Sequence, residues 1–352
     1  MSIRSQRKED HLALAGQFYK TNKPNSFDQM HLLRPALPET KVKLEQLTTV
    51  MFGKKVAAPF FINAMTGGAD KAYAINQAFG KIAAKTQIAL ALGSASILTK
   101  EPEALTSFLV AREEDPTGVV IANLNAKTKA DSAQKIVRAL EADALQIHLN
   151  SVQEIAMPEG ERDFTWLTNL QDLRQKLTIP IIIKEVGFGL DPTTIRLLKS
   201  EGFTLFDIAG SGGTNFAQIE NARNERDLSY LEDLGLPTVL ATILAKKEQV
   251  EVIVSGGVRQ PLDVFKGLAL GGKYIGVANV FLQALEQKGA NFLLQMIKNW
   301  QEELAYLLAL YGISDLKQIT KLKKYYDEPL YSWLQQFKQK NSFKSEFPKL
   351  DY

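Results

Sequence analysis

The chain has 352 residues, 45% hydrophobic and 23% charged, a balance typical of a globular protein with one large domain or two small ones. Its 42 basic and 39 acidic residues leave a net charge of +3, which is too small to indicate nucleic acid as the main partner. The absence of cysteine excludes disulfides, zinc–thiolate sites, iron–sulfur clusters and thiol nucleophiles.

The start of the chain carries no sign of targeting. MSIRSQRKEDH lacks the apolar stretch of a signal peptide and contains acids, which transit peptides avoid. No apolar run reaches the roughly 18 to 20 residues that span a bilayer. We therefore expect a cytoplasmic protein that has no membrane partner.

Residues 1–60 predict an extension that precedes the main fold. RKEDHLALAGQFY has the pattern of a short helix, and an extended segment containing prolines follows it.

From residue 61 onward a short apolar strand, small or polar residues and a helical stretch recur in turn. The predicted strands are FINAM (61–65), IALAL (88–92), VVIAN (119–123), LQIHL (145–149), IIIKEV (181–186), LFDIAG (205–210), VIVSG (252–256) and YIGVA (274–278). Their nearly continuous apolar character is typical of parallel strands covered on both faces. Eight β/α units in about 230 residues predict an α/β fold, a closed (β/α)8 TIM barrel over residues 61–289. An open, doubly wound sheet is the alternative.

Two intervening stretches illustrate the helical pattern. In KAYAINQAFGKIAAKT, apolar residues from Ala72 to Ile82 recur at helical spacing. PLDVFKGLALGG places Pro261 at a helix start and Gly271 or Gly272 at its end.

Two further segments carry distinct expectations. The connection over residues 210–230 is long for a compact barrel, which indicates that it covers a site. Residues 290–352 predict C-terminal helices rich in lysine and aromatic residues, and their charges are most simply a solvated face. These aromatic residues could pack on the barrel or on a neighbouring chain.

Polar and glycine residues follow the predicted strands, and barrel enzymes place their working residues at these carboxyl ends. In LQIHLNSVQE, one strand end gathers His148, Asn150, Gln153 and Glu154. Pairs of glycines follow strands one, six and seven, and backbone N–H groups beside glycine can approach an anion closely. With Arg259 nearby, Gly256-Gly257 predicts a phosphate cradle, although simple loop turns are the alternative.

These motifs carry a resemblance. SGGVR and LDVFKGLALGG resemble the FMN-phosphate segment of flavin-dependent barrel enzymes, which include α-hydroxyacid oxidases and inosine monophosphate dehydrogenases. Together, RKEDH, NAMTGG, IHLNSVQE, IIIKEVGFG and AGSGGTNFAQIE resemble the type 2 isopentenyl diphosphate isomerase family, over a match from Arg7 to Asn279. The oxidases carry a catalytic histidine after strand six, where this chain reads AGSGGTNF, and the dehydrogenases attack with a cysteine, which it lacks.

The resemblance implies an FMN site across the barrel mouth. Near the isoalloxazine ring it implies Met65, Thr66, Gly67, Ser94, Asn123 and Lys184, where a lysine would stabilise negative charge on the reduced ring. For the phosphate and ribityl chain it implies Ser211, Thr214, Gly256, Gly257, Arg259, Ala278 and Asn279.

The resemblance also implies a site for isopentenyl diphosphate. The substrate-binding residues would be Arg7, Lys8, His11, Ser94, His148, Asn150 and Gln153, and Glu154 would hold Mg²⁺ together with diphosphate oxygens and water. The implied reaction is a 1,3-allylic proton shift that gives dimethylallyl diphosphate and requires FMN reduced with NADPH. Gln153, His148 and Asn150 would be the catalytic residues, Gln153 as a candidate proton relay.

One departure and two alternatives accompany this hypothesis. Many family members have Ser-Gln-Arg where this chain has Ser94-Ala95-Ser96, so an arginine contact to substrate is lost; Lys100 is nearby in sequence. An FMN-dependent oxidoreductase of a small hydroxy acid and a non-catalytic flavin- or RNA-binding protein remain open. The resemblance further implies a homo-oligomer, a tetramer or octamer.

Overall fold

The N-terminal extension wraps around a barrel. The computed structural model describes residues 3–21, 23–65 and 70–338, without the side chains of residues 3–6, 8, 9 and 70. The extension consists of helix α1 (Ile3–Gln17) and strands β1 (Met30–Leu32), β2 (Thr49–Met51) and β3 (Lys54–Val56). This confirms the predicted N-terminal helix.

Strands β2 and β3 form an antiparallel hairpin that covers the amino-terminal end of the barrel. Its two turn residues, Phe52 and Gly53, both have positive φ angles, as a tight turn between twisted strands requires. Met51 and Val56 pack into the barrel interior, and Tyr274 donates a hydrogen bond to the carbonyl of Val50 (2.7 Å). The hairpin therefore closes the barrel interior at its amino-terminal end.

The barrel alternates strands and helices. They are β4 (Phe60–Ile62), α2 (Asp70–Thr86), β5 (Leu90–Ala91), α3 (Thr106–Glu114), β6 (Val120–Asn125), α4 (Ala130–Ala139), β7 (Ala144–His148), α5 (Ser151–Ala156), α6 (Leu167–Lys176), β8 (Ile181–Lys184), α7 (Pro192–Ser200), β9 (Leu205–Asp207), α8 (Phe216–Asn221), α9 (Thr238–Lys247), β10 (Glu251–Val254), α10 (Pro261–Ala269), β11 (Tyr274–Val277) and α11 (Asn279–Lys288). Strands β4 to β11 close into one barrel in which β11 pairs with β4 and all neighbours are parallel. The predicted TIM barrel is confirmed, and the open doubly wound sheet is wrong.

Side chains alternate along each barrel strand between the helices and the interior. Phe60, Val120 and Ile183 pack with the surrounding helices in the main core. The adjacent residues in the same strands, Phe61, Ile121 and Ile182, fill the barrel interior in a separate apolar cluster. Two residues further toward the carboxyl end, the inward positions become polar, and this change marks the boundary between the core and the site.

The C-terminal segment contains helix α12 (Ala290–Leu310), strand β12 (Lys324–Tyr326) and helix α13 (Leu330–Gln336). On α12, Leu293, Ile297 and Trp300 are buried at helical spacing, and Trp300 packs on Phe281 of the barrel at 4.9 Å between ring centroids. The prediction of helices alone was wrong for residues 324–326, because they pair antiparallel with the distant strand β1. None of the described helices is long and apolar enough to cross a membrane.

Candidate active site

A cavity of about 560 Å³ opens at the carboxyl ends of the barrel strands. Every barrel strand contributes lining residues to it, and α1 closes one side. The long connection after β9, residues 210–230, also lines it, as its length indicated. The predicted site residues that line the cavity are Arg7, His11, Met65, Ser94, Asn123, His148, Asn150, Gln153, Glu154, Lys184, Thr214, Gly256, Gly257, Arg259, Ala278 and Asn279.

The remaining predicted residues divide into two groups. Thr66 and Gly67, together with the side chain of Lys8, lie outside the described residues. Ser211 is described but turns away from the cavity, since its hydroxyl donates to the carbonyl of Gly235 (3.4 Å) and its N–H to that of Leu236 (2.9 Å). That Ser211 contacts the ribityl or phosphate group stays a prediction.

A layer of polar side chains forms the floor of the cavity. It continues the inward-facing positions of the strands above the apolar interior and includes Asn123, Gln146, His148 and Asp207, all buried. Lys184 joins it, with Nζ 3.2 Å from Oδ2 of Asp207. Because burial of polar groups is costly unless they are hydrogen-bonded, the geometry of this layer is set by its mutual contacts.

The hydrogen bonds of this layer run in one direction. His148 Nδ1 lies 2.8 Å from Oδ1 of Asn123, whose Nδ2 donates to Gln146 Oε1 (3.0 Å). Gln146 Nε2 donates to Asn63 Oδ1 (3.0 Å), and Asn63 Nδ2 donates to Asp207 Oδ2 (2.9 Å). Asp207 Oδ2 accepts from Asn63, and the amide orientations that follow from this contact leave Oδ1 of Asn123 as the acceptor that faces Nδ1 of His148.

The loops after β9 and β10 form a cradle of backbone, which we define as Gly210, Gly212, Gly213, Gly256 and Gly257. Gly212, Gly256 and Gly257 have φ angles of +131°, +97° and +74°. A Cβ added to Gly256 would lie 2.1 Å from the carbonyl oxygen of Gly210, and one added to Gly213 would lie 2.7 Å from the nitrogen of Gly257. No side chain fits between these loops, so their backbones lie in close contact and border this part of the cavity.

The side chain of Arg259 lines the cavity and is held there by acidic partners. Its guanidinium donates to Asp28, Asp263 and the carbonyl of Lys23, at distances from 2.7 to 3.4 Å. The bond to Asp28 is the main reason that the pKa of Arg259 is raised, and the same contact lowers that of Asp28. All five N–H donors are used in these contacts, so Arg259 positions its loop and supplies no spare donor to a phosphate.

Asn279 is also committed elsewhere. It begins α11, its Nδ2 donates to the carbonyl of Ala15 on α1 (3.3 Å), and its Oδ1 accepts from Gln283 (3.1 Å). Its side chain thus holds α1 over the cavity. The N-terminus of the ten-residue helix α11, rather than the Asn279 side chain, is the element that can face an anion here.

On the opposite side of the cavity, a buried carboxylate joins α1 to α5. Gln153 Nε2 donates to Glu220 Oε1 (2.9 Å), and His11 Nε2 lies 2.7 Å from the same oxygen. Burial alone would raise the pKa of Glu220, but its contacts with His11, Gln153 and Arg223 bring it below the ordinary value. Glu220 is therefore ionised at neutral pH and orients the amide of Gln153.

Glu154 is held in position at the cavity wall. Oε1 accepts from Nδ2 of Asn150 (2.9 Å) and Oε2 from the N–H of Glu161 (2.8 Å). Among the described residues there is no group of three or more histidine, aspartate or glutamate side chains placed to hold a metal ion. A cation at Glu154 would therefore need most of its ligands from elsewhere, such as water or a substrate.

Ser96, where the resembling family often has an arginine, belongs to a small hydroxyl cluster. Its Oγ accepts from the N–H of Asn125 (2.9 Å) and lies 3.2 Å from Oγ1 of Thr128. Lys100 does not line the cavity. Lys100 therefore does not take the place of that arginine, and the cations that line the cavity from the described part of the extension are Arg7, Lys20 and Lys23.

Glu185 follows Lys184 and supports the loop beside it. Its buried carboxylate accepts hydrogen bonds from the N–H groups of Val186 and Phe188, at 2.5 and 2.6 Å. Burial raises the pKa of Glu185 to about 7 from an ordinary 4.5, although these N–H groups favour its ionised form. Val186 and Gly187 line the cavity, so Glu185 influences the cavity through the backbone.

Sequence reasoning missed several of these residues. Gln146 and Asp207 each interrupt an otherwise apolar strand, and this interruption was a signal that could have identified them. Asn63 stands at a strand end and could have been found in the same way. Glu220 gave no such signal, because it lies among many polar residues of the connection that follows β9.

Similarity to known proteins agrees with this arrangement. The family model described as FMN-dependent dehydrogenase matches residues 106–324. The isopentenyl-diphosphate delta-isomerase of Limosilactobacillus reuteri subsp. reuteri (strain JCM 1112) is 40% identical over 342 residues, 95% of this chain and 98% of that protein. That of Latilactobacillus sakei subsp. sakei (strain 23K) is 36% identical over 318 residues, 90% of this chain and 91% of that protein.

Solved structures share the fold. A mandelate oxidase variant with a monooxide FMN adduct has a TM-score of 0.61 at 16% identity, covering 90% of this chain and 92% of that one. An active chimera of (S)-mandelate dehydrogenase has a TM-score of 0.61 at 17% identity, covering 91% of this chain and 99% of that one. At such low identity these likenesses support the barrel architecture alone.

Glu185→Gln should change how stability depends on pH. The folded protein binds the Glu185 proton more tightly than the unfolded chain does, because its pKa is raised from 4.5 to about 7. The resulting stabilisation is fully present below pH 4.5 and is lost as the pH rises to about 7. The stabilisation lost over this range is on the order of 3 kcal/mol. Glutamine cannot ionise, so the unfolding free energy of the wild type relative to Glu185→Gln should fall by this amount across that range.

Denaturant unfolding at several pH values measures this difference, with exposed Glu303→Gln as the control. A constant difference between wild type and Glu185→Gln from pH 4.5 to 8 would contradict the prediction.

Proposed function

This chain belongs to the type 2 isopentenyl-diphosphate delta-isomerase family, and we propose that it converts isopentenyl diphosphate into dimethylallyl diphosphate with reduced FMN and Mg²⁺. One observation carries the proposal: a single cavity brings the glycine cradle together with the polar cluster of His148, Asn150, Gln153 and Glu154. A phosphate-bearing cofactor and a diphosphate substrate could thus meet over the same strand ends.

The residues present fit FMN. A cradle that any Cβ would fill suits a phosphate held by backbone N–H groups, and Lys184 at the floor suits negative charge on a reduced ring. When bound, the reduced flavin supplies acid–base chemistry and an electron-rich face. Met65, Ser94, Asn123 and Lys184 would border the ring; Thr214, Gly256, Gly257 and the N-terminus of α11 would hold the phosphate and ribityl chain.

The substrate side fits a diphosphate and an apolar tail. Arg7 projects from α1 toward this side, where its guanidinium lies 3.7 Å from Glu159. Glu154, oriented by Asn150, would hold Mg²⁺ that binds mainly diphosphate oxygens and water, the usual arrangement for this ion. Apolar side chains, including Leu12, Ile97 and Met157, line the cavity and would enclose the five-carbon chain.

Proton movement would involve Gln153 and Glu220. An amide is a poor acid, and the lowered pKa of Glu220 makes its carboxylate a weak base, so the pair would orient and relay a proton rather than retain it. His148 donates its Nδ1 proton within the floor network, and this contact fixes the imidazole orientation toward the cavity. Exclusion of water by α1 would protect a carbocation-like centre from capture.

Several finer points remain parts of this proposal. They are reduction of the flavin by NADPH, a cytoplasmic location, which the absence of cysteine suits, and a homo-oligomer of four or eight chains. Exposed apolar side chains on the extension and α12, such as Leu37 (74% exposed) and Leu310 (48%), support association between copies. A nucleic-acid role has no support in a net charge of +3.

Product formation without net reduction tests the activity. Purified protein is incubated without oxygen with FMN, NADPH, Mg²⁺ and isopentenyl diphosphate, and the products are resolved chromatographically. An isomerase forms dimethylallyl diphosphate in many-fold excess over the NADPH consumed. Consumption of one NADPH per product, or turnover only of a hydroxy acid, would instead favour the oxidoreductase hypothesis.

Gly256→Ala should weaken FMN binding by more than about tenfold, because its Cβ would lie 2.1 Å from the carbonyl of Gly210 and force the cradle apart. Gly53→Ala is a matched control, since Gly53 also has a positive φ (+83°) but a Cβ there meets nothing within 4 Å. Flavin absorbance near about 450 nm, followed in FMN titrations, measures the affinity. Equal FMN affinity in the two variants would contradict the cradle assignment.

Glu154→Gln should raise the Mg²⁺ concentration for half-maximal activity by at least about tenfold, because a neutral amide binds the ion less strongly than a carboxylate. Mg²⁺ titrations of initial rate, with exposed Glu302→Gln as control, measure the change. An unaltered Mg²⁺ requirement in Glu154→Gln would remove Glu154 from the proposed metal site.

A further inference from the structure

Residues 23–28 fasten the N-terminal extension to the cradle side of the barrel. Arg259 donates to the carbonyl of Lys23 (3.0 Å) and pairs with Asp28 (2.7 Å). Lys266 Nζ donates to the carbonyl of Phe27 (2.7 Å), and the N–H of Val239 donates to Oγ of Ser26 (3.1 Å). This short segment thus contacts the loop after β10 and helices α9 and α10.

Asn25 stands at the centre of this segment and reaches both loops of the cradle. Its Nδ2 donates to the carbonyl of Gly257 (2.8 Å) and, more weakly, to that of Gly212 (3.5 Å). A Cβ added to Gly212 would lie 2.9 Å from Cβ of Asn25, so the contact is close on this side too. Thr238 also contacts the cradle, since its Oγ1 donates a hydrogen bond to the carbonyl of Gly256 (2.7 Å).

The Asn25 side chain makes two separable kinds of contact. Its Oδ1 accepts from the N–H of Phe27 (2.9 Å). This hydrogen bond forms an ordinary local turn, which occurs without any ligand. The Nδ2 contacts span more than 180 residues of sequence and are not needed for that turn. An aspartate could keep the turn but could not donate to the two glycine carbonyls.

We propose that Asn25 is a positioning residue for the flavin phosphate, holding the two glycine loops at the spacing that directs their N–H groups to one anion. Asn25 itself does not line the cavity and acts through the backbone. The inference rests on the proposed function, because it assumes that FMN occupies the cradle. It assigns part of the cofactor affinity to the N-terminal extension rather than to the barrel alone.

Paired affinities for FMN and riboflavin, which lacks the phosphate, test this role. The flavin-free wild type, Asn25→Ala and Asn25→Asp are titrated with each ligand by flavin fluorescence, and the unfolding temperature of each flavin-free protein is measured. We expect FMN binding to weaken roughly three- to tenfold in Asn25→Ala, the effect of one hydrogen bond, and by more than about tenfold in Asn25→Asp. Riboflavin binding should change less than twofold in both.

Asn299→Asp, which adds the same charge at an exposed site on α12, is the control and should leave both affinities unchanged. Equal losses for FMN and riboflavin, or unchanged FMN affinity in both Asn25 variants, would overturn the inference while leaving the proposed function intact. Failure of the wild type to bind FMN would overturn the proposed function, and the inference with it.

Discussion

The buried carboxylate of Asp207 is the constraint on which the site depends. An ionised group this deep in a protein costs several kcal/mol unless it is fully paired, and Asp207 is paired with Lys184, Asn63 and Ser255. Lys184 ends strand β8, and Asn63 and Ser255 directly follow strands β4 and β10, so one carboxylate joins separate parts of the barrel. Because it only accepts hydrogen bonds, it also sets the direction of the amide chain that ends at His148.

The polar floor of the cavity lies between two different environments. Below it, apolar side chains and the β2–β3 hairpin fill the barrel interior; above it, the cavity is bordered by loops. The extension adds contacts to these loops: His11 meets Glu220, Asn25 meets the cradle, and Asp28 meets Arg259. The floor is thus fixed by the barrel, whereas the walls depend on segments outside it.

The strands and the barrel were predictable from sequence because burial on both faces leaves a continuous apolar pattern in each strand. The polar cluster after LQIHL was visible for the same reason, since polar residues directly after such a strand can only lie at the open end. Strand β12 was not predictable, because residues 324–326 are extended only by pairing with β1, far away in the chain. The acidic partner of Arg259 was not predictable for a similar reason, because Asp28, which accepts from its guanidinium, lies 231 positions away.

These contacts bear on why an isomerisation suits the cavity better than an oxidation. A proton shift through a carbocation-like centre fails if a loose base or a water molecule captures the cation. Here the floor amides are hydrogen-bonded to one another, and Glu220 is held by Gln153 and Arg223, so these polar groups have fixed positions within the protein. Oxidation of a hydroxy acid needs a base for the hydroxyl proton, and the residues that follow β9 up to Phe216 include no histidine to provide one. The preorganised network therefore favours a reaction in which the protein holds the reacting carbons apart from water and lets only two protons move.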